Sequence, residues 1–135
     1  MARISESQNG ITPFQKLLGH HKEIMENWTQ LSETLENDGL LSAVLKEQVR
    51  WTLAQGNGCE YCKAKGKLNK QIFDEKISLA VGFAEVFLKY KGDIPSSIFN
   101  ILYEQFNEAE ISELCAFICF TTASHYFGAL MELKP

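Results

Sequence analysis

The chain has 135 residues, a length that fits one domain with a substantial buried core. Apolar residues make up 45% of it and charged residues 22%, as in an ordinary soluble globular protein. The net charge of -4 argues against a basic nucleic-acid surface, and the longest apolar run, 114–120, is too short to span a membrane. Because residues 1–12 lack the apolar region of a signal peptide, we expect a cytoplasmic protein.

The first half of the chain predicts three helices from its apolar spacing and its cap residues. The pair Thr12-Pro13 is typical of an N-cap and a first helical position. Apolar residues at positions 24, 28, 31 and 35 mark one face of a second helix. Ser42 is expected to cap a third helix, which runs to about Gln55 because a Gly-Asn-Gly segment follows.

The second half of the chain also has helical spacing. We predict helices from Cys59 to about Leu68, from about Asp74 to Tyr90, from Pro95 onward, and from Asn107 to about Leu130. No alternating pattern is long enough for a strand. The sequence therefore predicts an all-α domain of about six or seven helices over residues 13–135, after a polar N-terminal segment at 1–12.

Cys59 and Cys62 are the chemically distinctive pair in the chain. Residues three apart on a helix share a face, so the two sulfurs can bond. At a helix start, free N–H groups favour a thiolate, and a second nearby thiol can resolve an intermediate as a disulfide. A redox pair is the leading hypothesis, while half of a zinc site and a chance placement of two small residues stay open.

The other two cysteines, Cys115 and Cys119, lie four apart in an apolar segment of the last predicted helix. We interpret them as small buried hydrophobic residues. A zinc site needs four ligands, so a four-cysteine site that joins the two helices is the alternative. Because a reducing cytosol disfavours structural disulfides, the CxxC pair is interpreted first as catalytic or metal-binding.

The segment LKEQVRWTLAQGNGCEYCKAKG, residues 45–66, resembles the signature of the carboxymuconolactone decarboxylase and alkylhydroperoxidase D (AhpD-like) superfamily. That signature holds a glutamate, a CxxC about twelve residues later, and a histidine four residues beyond the second cysteine. Glu47, Cys59 and Cys62 match it, whereas Gly66 stands at the histidine position. A weaker helical similarity extends over most of residues 13–130.

This resemblance implies a fold, a chemistry and a set of partners. Cys62 would be the peroxidatic cysteine, Cys59 the resolving one, and Glu47 part of the proton relay. The implied substrate is a hydroperoxide or a disulfide, and the implied partner is a dithiol reductant or a redox protein. The resemblance also implies a homo-oligomer, a trimer or a hexamer, and we expect no cofactor, metal, nucleic acid or membrane.

The position of Cys59 at a helix start gives a different assignment, because the helix dipole favours it as the thiol of lower pKa. We follow the family for peroxide attack and keep Cys59 as the expected partner of an external thiol reductant. Tyr61 is a candidate supporting hydrogen-bond donor, and Trp51 is a candidate pocket wall. Solvated surface positions are the favoured interpretation of Lys63 and Lys65.

Gly66 is the departure from the family pattern that bears most on activity. Glycine transfers no proton, and positioned acid–base catalysis is worth about 10²–10⁴-fold. We therefore expect a slow peroxidase, or a pair that exchanges disulfides without peroxide, and we expect Gly66→His to raise turnover. Replacement of the missing relay by His20, His21 or His125 is a minor alternative.

Two other functions stay open beside the oxidoreductase. One is a redox-sensing or zinc-binding subunit that keeps the fold without the relay. The other is a decarboxylase-type lyase, which the intact cysteine pair disfavours because that branch of the family typically lacks a CxxC.

Overall fold

The computed structural model describes residues 2–135, which contain helices and no strands. The α-helices of this part of the chain are α1 Pro13–Leu18, α2 Lys22–Glu36, α3 Ala43–Gly56, α4 Glu60–Lys63, α5 Glu75–Tyr90, α6 Ser96–Leu102 and α7 Glu108–Leu130. A 3₁₀ turn at Lys70–Ile72 precedes α5. The prediction of an all-α domain with six or seven helices is confirmed. No helix among residues 2–135 is both long and apolar enough to cross a membrane.

Side-chain caps explain where several helices begin. The Thr12 hydroxyl accepts the Gln15 N–H at 3.1 Å before α1, and the Ser42 hydroxyl accepts the Leu45 N–H at 3.1 Å before α3. Asn107 starts α7 with a reciprocal pair of hydrogen bonds to the residue three positions on. Each cap satisfies an N–H group that the first helical turn leaves free, so the predicted starts of these helices are confirmed.

The helix predicted from Cys59 to about Leu68 is much shorter in the structure. α4 is a single turn that ends at Lys63. Gly66 then has a φ of +69°, in the left-handed region that glycine enters without steric cost. Beyond it the Asn69 N–H donates to the Gln48 side chain at 2.9 Å, which draws the chain back over α3. The predicted extension of α4 is wrong, and Gly66 lies outside the helix.

Helices α3, α5 and α7 enclose the main hydrophobic core. α3 buries Leu45, Val49 and Leu53 on the face that the sequence predicted. α5 contributes Ile77, Ala80, Val81 and Ala84, and α7 contributes Leu114, Phe117 and Ile118. Burial of one large apolar side chain stabilises a fold by about 1.5–3 kcal/mol. This packing holds α3 and α7, which form two sides of the candidate site.

Helix α2 lies over α7 without burying any residue completely. Its main anchor is Trp28, whose ring centroid lies 5.3 Å from that of Phe120 and whose Nε1–H donates to the Ser124 hydroxyl at 3.1 Å. Ile24 and Leu31, on the predicted apolar face, are each 47% exposed. α2 therefore covers α7 as an outer layer that leaves a cavity beneath it.

The N-terminal segment packs against α1 and the end of α7. The Arg3 N–H donates to the Met131 carbonyl at 2.8 Å, and the Arg3 guanidinium pairs with the Glu132 carboxylate at 2.7 Å. Farther along, Ser7 donates through its backbone N–H and its hydroxyl to the Lys16 carbonyl. Residues 2–12 thus join α1 to the end of α7.

One buried charge ties the turn between α2 and α3 to α7. The Lys46 side chain is 2% exposed, and its ammonium donates to the Asn37 carbonyl at 2.8 Å and lies 3.2 Å from a Glu113 oxygen. The Glu113 carboxylate also accepts the backbone N–H groups of Leu40 and Leu41. We call this arrangement the Lys46–Glu113 clamp.

Acidification is expected to weaken the Lys46–Glu113 clamp. Burial alone would raise the pKa of Glu113, but the N–H groups of Leu41 and Leu40 and the Lys46 ammonium outweigh it and lower this pKa below its usual 4.5. The unfolded state therefore binds the proton first as the pH falls. The stabilisation is complete above about pH 4.5 and is lost as the pH falls through the lower pKa of the folded state.

Thermal unfolding of the native protein and of Glu113→Gln measures this contribution. At about pH 7 the variant should be less stable by about 1–2 kcal/mol, because a charge-assisted hydrogen-bond acceptor is lost. The difference should shrink at a pH low enough to protonate the Glu113 carboxylate, where both proteins carry a neutral side chain. An equal difference at both pH values would contradict a role for the ionised carboxylate.

Candidate redox site

The CxxC pair lies around the single turn of α4. Cys59 is the N-cap of this helix, and its sulfur accepts the Cys62 N–H at 3.1 Å. The sulfurs of Cys59 and Cys62 are joined as a disulfide, with their Cα atoms 5.2 Å apart. The prediction that the two sulfurs can bond is confirmed.

The two cysteines differ in their access to the surroundings. Cys59 is 1% exposed and packs against Ala54, whereas Cys62 is 7% exposed and lines a cavity of about 270 Å³. Behind the pair stands Gly128 of α7, where an added Cβ would lie 2.5 Å from the Cys59 sulfur and 3.5 Å from the Cys62 sulfur. Glycine at this position lets α7 approach the disulfide, and Cys62 is the cysteine that faces the cavity.

The cavity lies between α1 and α2 on one side and α7 on the other. Its apolar walls include Phe14, Trp28, Phe117 and Phe120. Polar and charged side chains line the rest of it, among them Arg50, Tyr61, Lys65, Ser124, His125 and the carboxylates Glu33 and Glu36. A cavity that combines apolar walls with convergent polar groups is the usual form of a small-molecule site.

Arg50 joins α3 to the CxxC segment. Its guanidinium donates two hydrogen bonds to the Glu47 carboxylate, at 2.7 and 2.8 Å. It also donates to the carbonyls of Cys62 at 3.2 Å and Lys65 at 2.8 Å. The sequence analysis missed Arg50, although its position one turn after Glu47 is the usual spacing of a helical ion pair. Arg50 therefore places a positive charge beside the Cys62 backbone.

Glu47 is directed toward Arg50 rather than toward the cavity that contains Cys62. Its side chain is 45% exposed and lines a second cavity, of about 250 Å³, together with Arg50 and Lys65. The same pair occupies the space beside Gly66. A Cβ added there would lie 2.6 Å from a Glu47 oxygen and 2.9 Å from an Arg50 nitrogen. Position 66 therefore faces the Glu47–Arg50 pair.

His125 is the histidine that the fold brings to the Cys62 cavity. Its side chain is 3% exposed, and its Nδ1 lies 3.1 Å from the Asn57 amide nitrogen. Burial, with added repulsion from Arg50 and Lys65, lowers the pKa of His125 to about 4. The imidazole is therefore neutral at neutral pH.

The other two histidines lie elsewhere. His20 is exposed, with its Nε2 2.6 Å from the Ser5 carbonyl. His21 caps α2, where its Nδ1 accepts the Ile24 N–H at 3.2 Å. Of the three histidines considered from the sequence, His125 alone lines the cavity.

The remaining predicted neighbours of the site divide into two groups. Tyr61 and Lys65 line the cavity, and the Lys65 ammonium lies 4.6 Å from the centre of the Tyr61 ring. Trp51 is half-buried on α3 and lines neither cavity, and Lys63 is exposed. Lys63 and Lys65 are both exposed, as predicted, and Lys65 also brings a second positive charge to the rim of the cavity.

Cys115 and Cys119 remain free thiols on α7. Cys115 is half-buried against the main core, and burial, with a smaller contribution from Cys119, raises the pKa of its thiol. Cys119 is exposed, so the interpretation of both residues as buried is wrong for Cys119. In the part of the chain that the structure describes, no three His, Cys, Asp or Glu side chains come together as a metal site.

Comparison with protein-family models and with curated proteins finds no match to this chain. The family resemblance of residues 45–66 therefore depends on the spacing of Glu47, Cys59 and Cys62, and the site is interpreted from its own geometry.

Proposed function

We propose that the protein is a thiol–disulfide oxidoreductase whose Cys59–Cys62 pair cycles between dithiol and disulfide and reduces small organic hydroperoxides. The observation that carries this proposal is the unequal access of two bonded sulfurs. Cys62 faces a cavity, and Cys59 is buried directly behind it. Because thiol reactivity depends on access to the sulfur, this arrangement suits Cys62 as the attacking thiol and Cys59 as the resolving one.

The charges around Cys62 support its role as the attacking thiol. Arg50 and Lys65 line the same cavity, and Arg50 donates a hydrogen bond to the Cys62 carbonyl. Positive charge beside a thiol favours the thiolate, which is the nucleophile. The turn at α4 is too short for a large helix dipole, so side-chain charges rather than the dipole favour the thiolate at Cys62.

The proposed cycle balances with two named reactants, a hydroperoxide and a dithiol. The Cys62 thiolate attacks the terminal peroxide oxygen, the O–O bond breaks, and the alkoxide leaves as an alcohol after it takes up a proton. The Cys59 thiol then attacks the Cys62 sulfenic acid, which releases water and forms the disulfide. The dithiol reductant finally restores both thiols and is itself oxidised to a disulfide.

The shape of the site favours a small substrate over the disulfide of a partner protein. Cys62 is 7% exposed beneath α2, and the chamber in front of it measures about 270 Å³ with aromatic walls. An organic hydroperoxide fits such a chamber, whereas exchange with a protein disulfide needs an accessible sulfur. Exposed Ile24 and Leu31 on α2 support the expected homo-oligomer, which stays a prediction.

Thiol counting tests the proposed cycle. The chain has four cysteines, so the reduced protein should show four free thiols and should keep two after one equivalent of cumene hydroperoxide. Peptide mapping should place the new disulfide between Cys59 and Cys62. A Cys115→Ser/Cys119→Ser variant is the matched control, and it should lose the same two thiols. An unchanged count, or oxidation confined to Cys115 and Cys119, would overturn the proposal.

A further inference from the structure

A buried polar pair lies between the CxxC segment and α7. Asn57 belongs to the turn just before Cys59, and His125 projects from α7 toward it. Both are more than nine-tenths buried, and the Asn57 Oδ1 has no hydrogen-bond partner among residues 2–135. A buried carbonyl without a hydrogen bond costs about 1–3 kcal/mol of folding stability. Packing alone therefore does not explain why this polar pair is buried here.

The hydrogen bond within this pair decides which ring nitrogen of His125 carries the proton. The Asn57 amide nitrogen is a donor, so the His125 Nδ1, 3.1 Å away, accepts. A neutral imidazole then holds its proton on Nε2. Within the described chain Asn57 is the only hydrogen-bond partner of the His125 ring, so the Nε2–H is a free donor.

Three observations indicate that His125 lies near Cys62. His125 and Cys62 line the same cavity. Gly128, one turn later on the same face of α7, lies against both sulfurs of the disulfide. Arg50, whose charge acts on His125, donates a hydrogen bond to the Cys62 carbonyl.

We propose that in the reduced protein His125 donates its Nε2–H to the Cys62 thiolate, and that Asn57 holds the ring in the tautomer that makes this possible. The inference rests on the proposed redox function of the pair and adds a thiolate-stabilising residue from outside the CxxC segment. Histidine in this role acts as a neutral donor, whereas the histidine missing at position 66 would move a proton.

Charged groups of both signs surround the cavity, and burial together with the two cations keeps His125 neutral. Arg50 from α3 and Lys65 from the segment after α4 favour the thiolate and oppose an imidazolium. Glu33 and Glu36 of α2 also line the cavity. Their negative charge disfavours the Cys62 thiolate and favours an imidazolium at His125. Tyr61 is the other titratable side chain there. The pH dependence near neutrality should therefore come from the Cys62 thiol, because His125 titrates near pH 4.

Alkylation of the reduced protein measures the titration of Cys62 directly. Iodoacetamide reacts with the thiolate, and peptide mapping separates Cys62 from Cys59 in a Cys115→Ser/Cys119→Ser background. His125→Leu should raise the pH midpoint of Cys62 alkylation by about one unit, which lowers its rate below the midpoint about tenfold. His125→Gln, which keeps an N–H donor, should recover part of the loss. His20→Leu, a histidine outside the cavity, should leave the midpoint unchanged.

An unchanged midpoint in folded His125→Leu overturns the inference. If that variant does not fold, ¹⁵N NMR of the native protein gives the answer, because the Nε2–H resonance of His125 should shift when the disulfide is reduced. A resonance that stays in place also overturns it.

Alkylation uses no peroxide, so a normal thiol count with an unchanged midpoint rejects this inference alone. If the hydroperoxide oxidises no thiols but His125→Leu shifts the alkylation midpoint as predicted, the peroxidase cycle alone is rejected.

Discussion

Cys62→Ser should reduce the turnover of cumene hydroperoxide to the background rate of the dithiol reductant alone. Cys62 is the cysteine that lines the cavity, and a serine hydroxyl is not ionised at neutral pH without a strong base beside it. Cys59 remains in this variant, but it is 1% exposed and packed against α7. It should therefore consume little peroxide even in a single turnover.

Cys59→Ser is the matched variant and should fail at a later step. It should also lose multiple turnover, yet its first equivalent of hydroperoxide should react at nearly the native rate. The Cys62 sulfenic acid then accumulates because no neighbouring thiol resolves it. Trapping with dimedone, followed by peptide mapping, detects this intermediate at Cys62.

The reverse pattern would assign the opposite roles. If Cys62→Ser consumes one equivalent and Cys59→Ser none, then Cys59 is the attacking thiol, which is the assignment that the sequence predicts from a helix dipole. Both variants lack the Cys59–Cys62 disulfide, so the loss of this cross-link cannot explain a difference between them.

Gly66→His should lower stability by about 2–3 kcal/mol and should not raise turnover. This reverses the expectation drawn from the sequence, in which a histidine restored the family relay. Gly66 has a φ of +69°, where a side chain costs about 1–2 kcal/mol. The new Cβ would also lie 2.6 Å from a Glu47 oxygen and would displace that carboxylate from Arg50. Because α4 ends at Lys63, residue 66 does not follow Cys62 on a helical face.

Gly66→Ala is the control that separates the effect of any Cβ at this position from the effect of the imidazole. Alanine has the same left-handed strain and the same Cβ contact, so it should lose nearly as much stability as histidine. Denaturant unfolding of the reduced and the oxidised proteins gives the free energies, and hydroperoxide turnover gives the activity. A Gly66→His protein that is as stable as the native one and faster in turnover would show that an imidazole at this position reaches Cys62.

Local signals in the sequence were sufficient for the helices and for the cysteine pair. Thr12, Ser42 and Asn107 cap helices through hydrogen bonds that reach only three residues along the chain. The spacing of Cys59 and Cys62 likewise brings the two sulfurs together within one helical turn. Interactions of this range depend on neighbouring residues alone, so the all-α class and the candidate pair follow directly from them.

The length of α4 could not be predicted in the same way. Helical spacing continues past Lys63, but the chain turns at Gly66 and is held over α3 by the Gln48 side chain. Gln48 lies 21 positions from its partner Asn69, so no local pattern contains this contact. Tertiary contacts decide such ends because one helical turn has little stability of its own.

The difference in access between the two cysteines comes from tertiary packing. α7 covers Cys59 by means of Gly128, and α2 leaves a cavity in front of Cys62. The same packing of α7 brings His125 to Asn57, 68 positions away, and leaves Cys119 exposed. The accessibility of a sulfur, the charges around it and the tautomer of a histidine all depend on which elements pack around the residue. The amino-acid sequence by itself therefore determined the thiol pair, and the packing of α2 and α7 decided which sulfur faces the cavity.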